Sequence, residues 1–131
     1  EVIGKDGNLT LFVDVDDTLI IYDRPPPNPY GYYDGIPWRV NQPLLEGIRQ
    51  FHLDNPEVQI IMWSGGGKEY AEIWIARFGL AGLAVGMLKD QWSLSLIQEG
   101  DIVVDDLDEP WRTHSPDQWP SGQSVREKKV P

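Results

Sequence analysis

The feature that most constrains the fold is an apolar run, residues 9–15, that ends directly in acidic side chains. The run is rich in residues that favour β-strands, and Asp16 and Asp17 follow it. A nearly continuous apolar strand is typical of the middle of a parallel sheet, where helices cover both faces. We therefore predict that this run is a buried strand whose carboxyl end carries acids.

Apolar residues also recur with strand-like and helix-like spacing further along the chain. Asn41 is a suitable N-cap for a helix to about residue 52, and Gly79 is a suitable end for a helix over residues 68–78. The sequence further predicts strands at residues 58–63, 83–85 and 101–104, and a helix at residues 91–97. This alternation predicts an α/β protein, a Rossmann-like three-layer α/β/α sandwich with a mainly parallel sheet.

The length of the chain sets its domain organisation. Its 131 residues fit one domain, residues 1–131, with a core at about residues 9–108. Residues 20–40 are rich in proline and aromatic side chains and are predicted to form a flap, and no insertion is long enough for a large cap domain. Residues 109–131 are rich in proline, serine and charge, and we expect them to pack loosely or to trail as a tail.

Charge and composition exclude several classes of function. A formal net charge of -10 disfavours extended binding to a nucleic-acid backbone or to an anionic membrane, because both surfaces repel the chain. The absence of cysteine excludes disulfides and thiolate metal sites. No segment is apolar enough to span a membrane, and we expect a cytoplasmic protein.

Chemically active side chains stand at or just after the ends of four predicted strands. The carboxyl ends of parallel strands share one edge of a sheet, and ligands bind at that edge. Two of the acids are two positions apart, so they face the same side of an extended chain. The candidate site residues at these ends are Asp14, Asp16, Ser64, Lys89, Asp105 and Asp106.

The order of these residues resembles the haloacid dehalogenase superfamily of phosphotransferases. Residues 14–18, Asp-Val-Asp-Asp-Thr, match the first motif of that family after an apolar strand. Ser64, Lys89 and the acid pair at 105–106 follow in the family's order, so the resemblance covers residues 9–108. The ordered set is more specific than any one of these residues.

The resemblance implies a phosphatase that works through a covalent intermediate. Asp14 would attack phosphorus to form an aspartyl-phosphate, while Asp16 would act as general acid and base. Thr18 would fix the loop that aims Asp16. The groups implied to bind the phosphoryl oxygens are the Ser64 hydroxyl, the Gly65 backbone N–H and the Lys89 ammonium.

Converging carboxylates need a cation. Two like charges about 4 Å apart repel by about 4 kcal/mol at an effective dielectric of about 20. Oxygen ligands of this kind suit Mg²⁺, which also binds a substrate phosphate. The resemblance implies that Mg²⁺ contacts the Asp14 carboxylate, the Asp16 carbonyl and the acid pair, with Asp106 favoured as direct ligand and Asp105 through water. The choice within that pair stays open.

Other interpretations use the same residues differently. Acidic strand ends are often solvated turns, and Ser64 can serve only as the N-cap of the next helix. A phospho-acceptor signalling domain also combines acids, a hydroxyl and a lysine, but carries its acid pair on the first strand, and a non-catalytic binding module could keep the fold. Residues 65–68 lack the flanking residues of a phosphate-binding P-loop. His52 and His114 have no partner at metal-ligand spacing and are expected at the surface.

The sequence limits the substrate only to a broad class of phosphate esters. Without a cap the site is expected to be open, so the phosphate could belong to a small metabolite, a nucleotide or the end of a phosphorylated macromolecule. The flap aromatics either pack the flap onto the body or stack on the substrate. They are Tyr22, Tyr30, Tyr32, Tyr33 and Trp38.

Overall fold

The computed structural model describes residues 9–25 and 35–121. None of the helices in these two ranges is long and apolar enough to cross a membrane. Strands and helices alternate as the sequence predicts, which confirms an α/β protein. The elements are β1 (Thr10–Asp14), β2 (Ile20–Tyr22), β3 (Trp38–Val40), α1 (Gln42–Asp54), β4 (Gln59–Ser64), α2 (Lys68–Arg77), β5 (Val85–Leu88), α3 (Gln91–Leu94) and β6 (Ile102–Val104).

Four parallel strands form the main sheet in the order β5-β4-β1-β6. In the centre, Val13 of β1 lies opposite Met62 of β4 on one side and Val104 of β6 on the other. β4 and β5 follow β1 on one side of the sheet, and β6 lies on the other side of β1. A ligand crevice forms at the carboxyl ends of the strands where such a sheet changes direction. Here that point is the gap between β1 and β6.

Side chains alternate between the two faces of the sheet and build two clusters. Leu11 and Val13 point to the larger cluster, which also holds Leu44 and Ile48 of α1 and Ile75 of α2. The asparagine predicted as N-cap, Asn41, accepts from the Leu44 N–H, and α1 begins one residue later. The predicted helices α1 and α2 are therefore confirmed, because each presents an apolar stripe to the sheet.

The opposite face carries a smaller cluster. Phe12, Trp63 and Val103 pack there with Leu94 of α3, and the Phe12 and Trp63 rings stack at 4.4 Å between centroids. Helical structure thus flanks the sheet, which is consistent with the predicted Rossmann-like fold. The crossovers from β1 to β4 and from β4 to β5 run in the same direction along the sheet. Their helices, α1 and α2, therefore pack on the same face.

Two predicted elements differ in the structure. The short strand lies at Val85–Leu88 and not at residues 83–85, because the Leu83 and Ala84 N–H groups both donate to the Leu80 carbonyl in a turn. The third helix begins at Gln91, after its N-cap Asp90, but ends at Leu94, not residue 97. Serine hydroxyls bond back to the local backbone there, which competes with a regular helix.

The predicted flap begins and ends as a β-hairpin. Tyr22 of β2 pairs with Trp38 of β3, and Ile20 pairs with Val40, in an antiparallel ribbon. The predicted flap therefore has regular strands at both of its ends. Residues 26–34 of the flap, which include Tyr30, Tyr32 and Tyr33, lie outside the described ranges.

The expectation of a loosely packed tail is wrong for the part that the structure describes, which reaches residue 121. The Thr113 and His114 N–H groups both donate to the Val103 carbonyl at 3.0 Å, so the chain continues along the edge of β6. Trp119 is buried in the larger cluster, with its ring 5.6 Å from that of Phe51. His114 is buried and not at the surface, and its Nδ1 lies 2.8 Å from the Thr113 hydroxyl.

Candidate active site

Three acids meet at the gap between β1 and β6. Asp14 is the last residue of β1 and only 5% exposed, and Asp105 and Asp106 follow β6 directly. One carboxylate oxygen from each of the three lies within 4.8 Å of the others. The sequence placed these residues at strand ends, and the parallel register of β1 and β6 accounts for their convergence.

Lys89 bridges two of these acids. Its Nζ donates to Asp14 Oδ1 at 3.0 Å and to Asp105 Oδ2 at 2.8 Å. The residue follows β5, and its backbone N–H donates to the Ser64 carbonyl at 2.9 Å, which fixes where the side chain starts. Lys68, which follows the glycine run after β4, is exposed and pairs with Glu72 on α2. The lysine of the site is therefore Lys89.

Thr18 connects the loop after β1 to the loop after β6. Its fully buried hydroxyl donates to Asp14 Oδ2 at 3.0 Å and accepts from the Asp106 N–H at 3.1 Å. The chain reaches this position through a sharp turn, in which Asp17 takes a left-handed conformation with φ of 58°. Thr18 therefore ties Asp14 to Asp106, which the sequence did not predict.

Asp16 is held apart from the three converging acids. The hydroxyls of Tyr22 and Tyr70 both donate to its Oδ1, at 2.7 and 2.6 Å. Burial raises the pKa of Tyr70 to about 12 and also raises that of Tyr22, so both phenols remain protonated donors near neutral pH. Because both bonds end on Oδ1, the second oxygen of this carboxylate stays available to a ligand.

Ser64 and Gly65 lie beside these acids, at the carboxyl end of β4. Ser64 is buried at the end of β4, and its Oγ accepts from the Gly66 N–H at 2.9 Å. It does not cap α2, because the N-cap position is Gly67 and no side chain bonds there. The Gly67 φ of 111° is one that glycine adopts readily, so this turn can follow the strand without strain.

The charges of the cluster are unbalanced. Burial, and then the charge of Asp105, raises the pKa of Asp14 well above its ordinary value. Burial also raises the pKa of Asp106. For Lys89, burial lowers the pKa, but the charges of Asp14 and Asp105 outweigh burial and raise it overall. Three carboxylates thus share one ammonium, an arrangement that a divalent cation would stabilise.

Most of these residues line one cavity of about 1300 Å³. Asp14, Asp16 and Asp106 line one part of it with Ser64 and Lys89. A second wall is mostly apolar and comes from the flap hairpin and α2. Its residues are Ile36, Pro37, Trp38, Trp74 and Arg77.

Sequence reasoning missed the contribution of α2 to this cavity. Tyr70, Trp74 and Arg77 are spaced three and four residues apart and therefore share one face of that helix. The sequence does place the start of α2 near the site, because this helix begins three residues after Gly65. Helical spacing alone does not tell a face that lines a cavity from a face that joins the core.

Fold and site together define an α/β protein with an acidic, lysine-bridged cluster at the carboxyl edge of its parallel sheet. Comparison of the chain with models of known protein families, with curated proteins and with solved structures finds no match. The function is therefore argued from the geometry and chemistry of the site.

Proposed function

We propose that the protein is a Mg²⁺-dependent phosphomonoester hydrolase of the haloacid dehalogenase type, acting through an aspartyl-phosphate on Asp14. The observation that carries the proposal is the convergence of Asp14, Asp105 and Asp106 around Lys89, with Asp16 lining the same cavity. The proposal includes membership of that superfamily, a Rossmann-like three-layer sandwich, a site without a large cap and a cytoplasmic location.

Asp14 is the nucleophile in this mechanism. One of its carboxylate oxygens forms a bond to phosphorus as the bond from phosphorus to the ester oxygen breaks. Asp16, in its protonated form, gives its proton to the departing oxygen, so an alcohol leaves. Water then attacks phosphorus while Asp16 takes up its proton, and breakage of the acyl-phosphate bond releases phosphate and restores Asp14.

The remaining residues stabilise the phosphoryl group. Lys89 already points at Asp14, so its ammonium lies where negative charge develops on the phosphoryl oxygens. The Ser64 hydroxyl and the Gly65 backbone line the cavity beside it. In phosphoryl transfer, positioning and charge stabilisation supply most of the rate enhancement.

The acid cluster fits a Mg²⁺ site. Asp105 Oδ2 bonds to Lys89 and its Oδ1 accepts from the Leu107 N–H at 2.9 Å, so both of its oxygens have partners. Asp106 is exposed and is the acid of the pair best able to bind a cation together with Asp14. The bound ion would neutralise the carboxylates and polarise the phosphoryl group.

Activity should depend on the metal. We expect the purified protein to hydrolyse an aryl phosphate with Mg²⁺, to lose this activity in EDTA, and to recover it poorly with Ca²⁺, which prefers more ligands and looser geometry. Mg²⁺ at about 100 times its Kd should raise the free energy of unfolding by about 2.7 kcal/mol. Both effects can be measured with a phosphate-release assay and a thermal melt.

Two matched variants locate the ion. Asp106→Asn should lose the Mg²⁺-dependent rise in melting temperature, whereas Asp108→Asn should keep it, because the exposed Asp108 bonds to Arg112 and lies outside the cluster. Equal Mg²⁺ shifts in both variants would exclude the proposed metal site. No hydrolysis of any phosphate ester would overturn the proposed function.

A further inference from the structure

The geometry points to a subsite for a planar base at Trp38 and Arg77, which makes the substrate a mononucleotide. This inference rests on the proposed phosphatase function and narrows its substrate class. The phosphate would lie at Asp14, and the base would lie against the second wall of the same cavity.

The subsite is built around an exposed indole. Trp38 is 40% exposed, although its ring meets the Trp74 ring edge-on at 4.9 Å between centroids. A second edge contact, to Phe78 at 6.4 Å, holds the ring from the side of α2. The indole is thus fixed by its neighbours while much of its surface stays open, which is how a stacking platform is made.

Arg77 completes this wall. Its guanidinium lies 5.6 Å from the Trp38 ring centroid and 4.8 Å from that of Trp74. Within residues 9–25 and 35–121, no carboxylate pairs with this guanidinium. A guanidinium carries five N–H donors in a plane, so it can bond the edge of a ligand while it stacks on a ring.

The subsite is joined to the reacting groups through the hairpin and α2. Trp38 pairs in register with Tyr22, whose hydroxyl bonds to Asp16. On α2, the Tyr70 ring lies 6.4 Å from that of Trp74, and its hydroxyl bonds to the same carboxylate. A ligand that contacts both Asp14 and Trp38 therefore passes along this row of aromatic side chains.

The chemistry of the wall favours a base over a second phosphate. The face of an aromatic ring is electron-rich and repels an anion, whereas it attracts another flat ring. Ile36 and Pro37 add apolar surface beside Trp38, which gives no hydration to a charged group. Arg77 then bonds the polar edge of the base or the ribose, and the chain's net charge of -10 disfavours a long polyanion.

The test compares two phosphate esters with the same leaving-group chemistry. Adenosine 5′-monophosphate and ribose 5-phosphate both release a primary alcohol, but only the first has a base. We expect Trp38→Ala to lower the ratio of their kcat/KM values, nucleotide over sugar phosphate, roughly 5- to 150-fold, the range that stacking of one base supplies. Trp38→Phe should retain most of the ratio, and Trp92→Ala should leave it unchanged, since that exposed indole lies outside this cavity.

A binding measurement separates this inference from the proposed function. Adenosine 5′-monophosphate is titrated into Asp14→Asn and into Asp14→Asn with Trp38→Ala, in Mg²⁺, by calorimetry. If adenosine 5′-monophosphate binds Asp14→Asn more tightly than the double variant, and the native protein hydrolyses neither ester, the subsite is supported and the hydrolase is refuted. Hydrolysis of both esters with a ratio unaffected by Trp38→Ala or by Arg77→Gln, in variants that melt like the native protein, refutes the subsite and leaves the hydrolase standing.

Discussion

Asp14→Asn should abolish hydrolysis of an aryl phosphate in saturating Mg²⁺, with a loss on the order of 10⁴-fold or more. An amide matches the carboxylate in shape but does not attack phosphorus. The single amide oxygen of the variant can accept from the Thr18 hydroxyl or from the Lys89 ammonium, so one of the two hydrogen bonds to this side chain is kept. More than a few per cent of native turnover in a pure sample would refute the assignment of Asp14 as nucleophile.

The melting temperature of Asp14→Asn tests whether burial of the Asp14 charge destabilises the folded protein. Burial, with the charge of Asp105, raises the pKa of Asp14 in the folded protein above its unfolded value. The stability linked to this group is therefore present below the unfolded pKa, and it is lost as pH rises through the folded pKa. In EDTA at neutral pH, Asp14→Asn should melt no lower than the native protein, and the difference should shrink as the pH falls. A lower melting temperature for the variant would contradict this expectation, and would mean that the bonds to Lys89 and Thr18 outweigh the cost of burying the charge.

Asp16→Asn should lower kcat by about 10² to 10⁴, the usual worth of general acid–base help. The loss should be largest for alkyl phosphates, whose leaving oxygen needs a proton, and smaller for nitrophenyl phosphate, whose leaving group does not. The measurement is a plot of log kcat against leaving-group pKa, which should be steeper in the variant. Such a change separates proton transfer from simple loss of binding.

Asp17→Asn is the matched control for that experiment. Asp17 is adjacent, but its carboxylate accepts from the Tyr22 N–H in the turn and does not line the cavity. Asparagine also tolerates the left-handed conformation at this position. We expect a change of only a few-fold and an unaltered slope. Equal losses in the two variants would mean that the turn, and not the acid at Asp16, accounts for the effect.

Local patterns predicted most of the sheet and the acids. The apolar runs at β1 and β4 and the capped start of α1 each carry their signal within about ten residues, and the structure has all three. The ends of β1 and β6 then place Asp14 and Asp105 at a shared edge once the strands are parallel. The sequence predicts these elements because hydrophobic periodicity is a local property of the chain.

Features that depend on distant contacts were missed. The partners of Asp16 include Tyr70, which is 54 positions away, and no local pattern pairs them. Trp119 joins the core from a segment without apolar periodicity, because a single large side chain fills a gap beside Phe51. Tertiary packing decides such positions, and it overrides the composition of the segment that carries them.

The central claim is a covalent phosphoryl group on Asp14, and chemical trapping tests it most directly. The native protein is mixed with Mg²⁺ and an aryl phosphate, quenched during turnover with borohydride, digested and analysed by mass spectrometry. An acyl phosphate is reduced to an alcohol, so the account predicts a reduced side chain at residue 14, dependent on both substrate and metal. Active enzyme with an unmodified Asp14, or with the reduced group at another acid such as Asp106, would contradict the account.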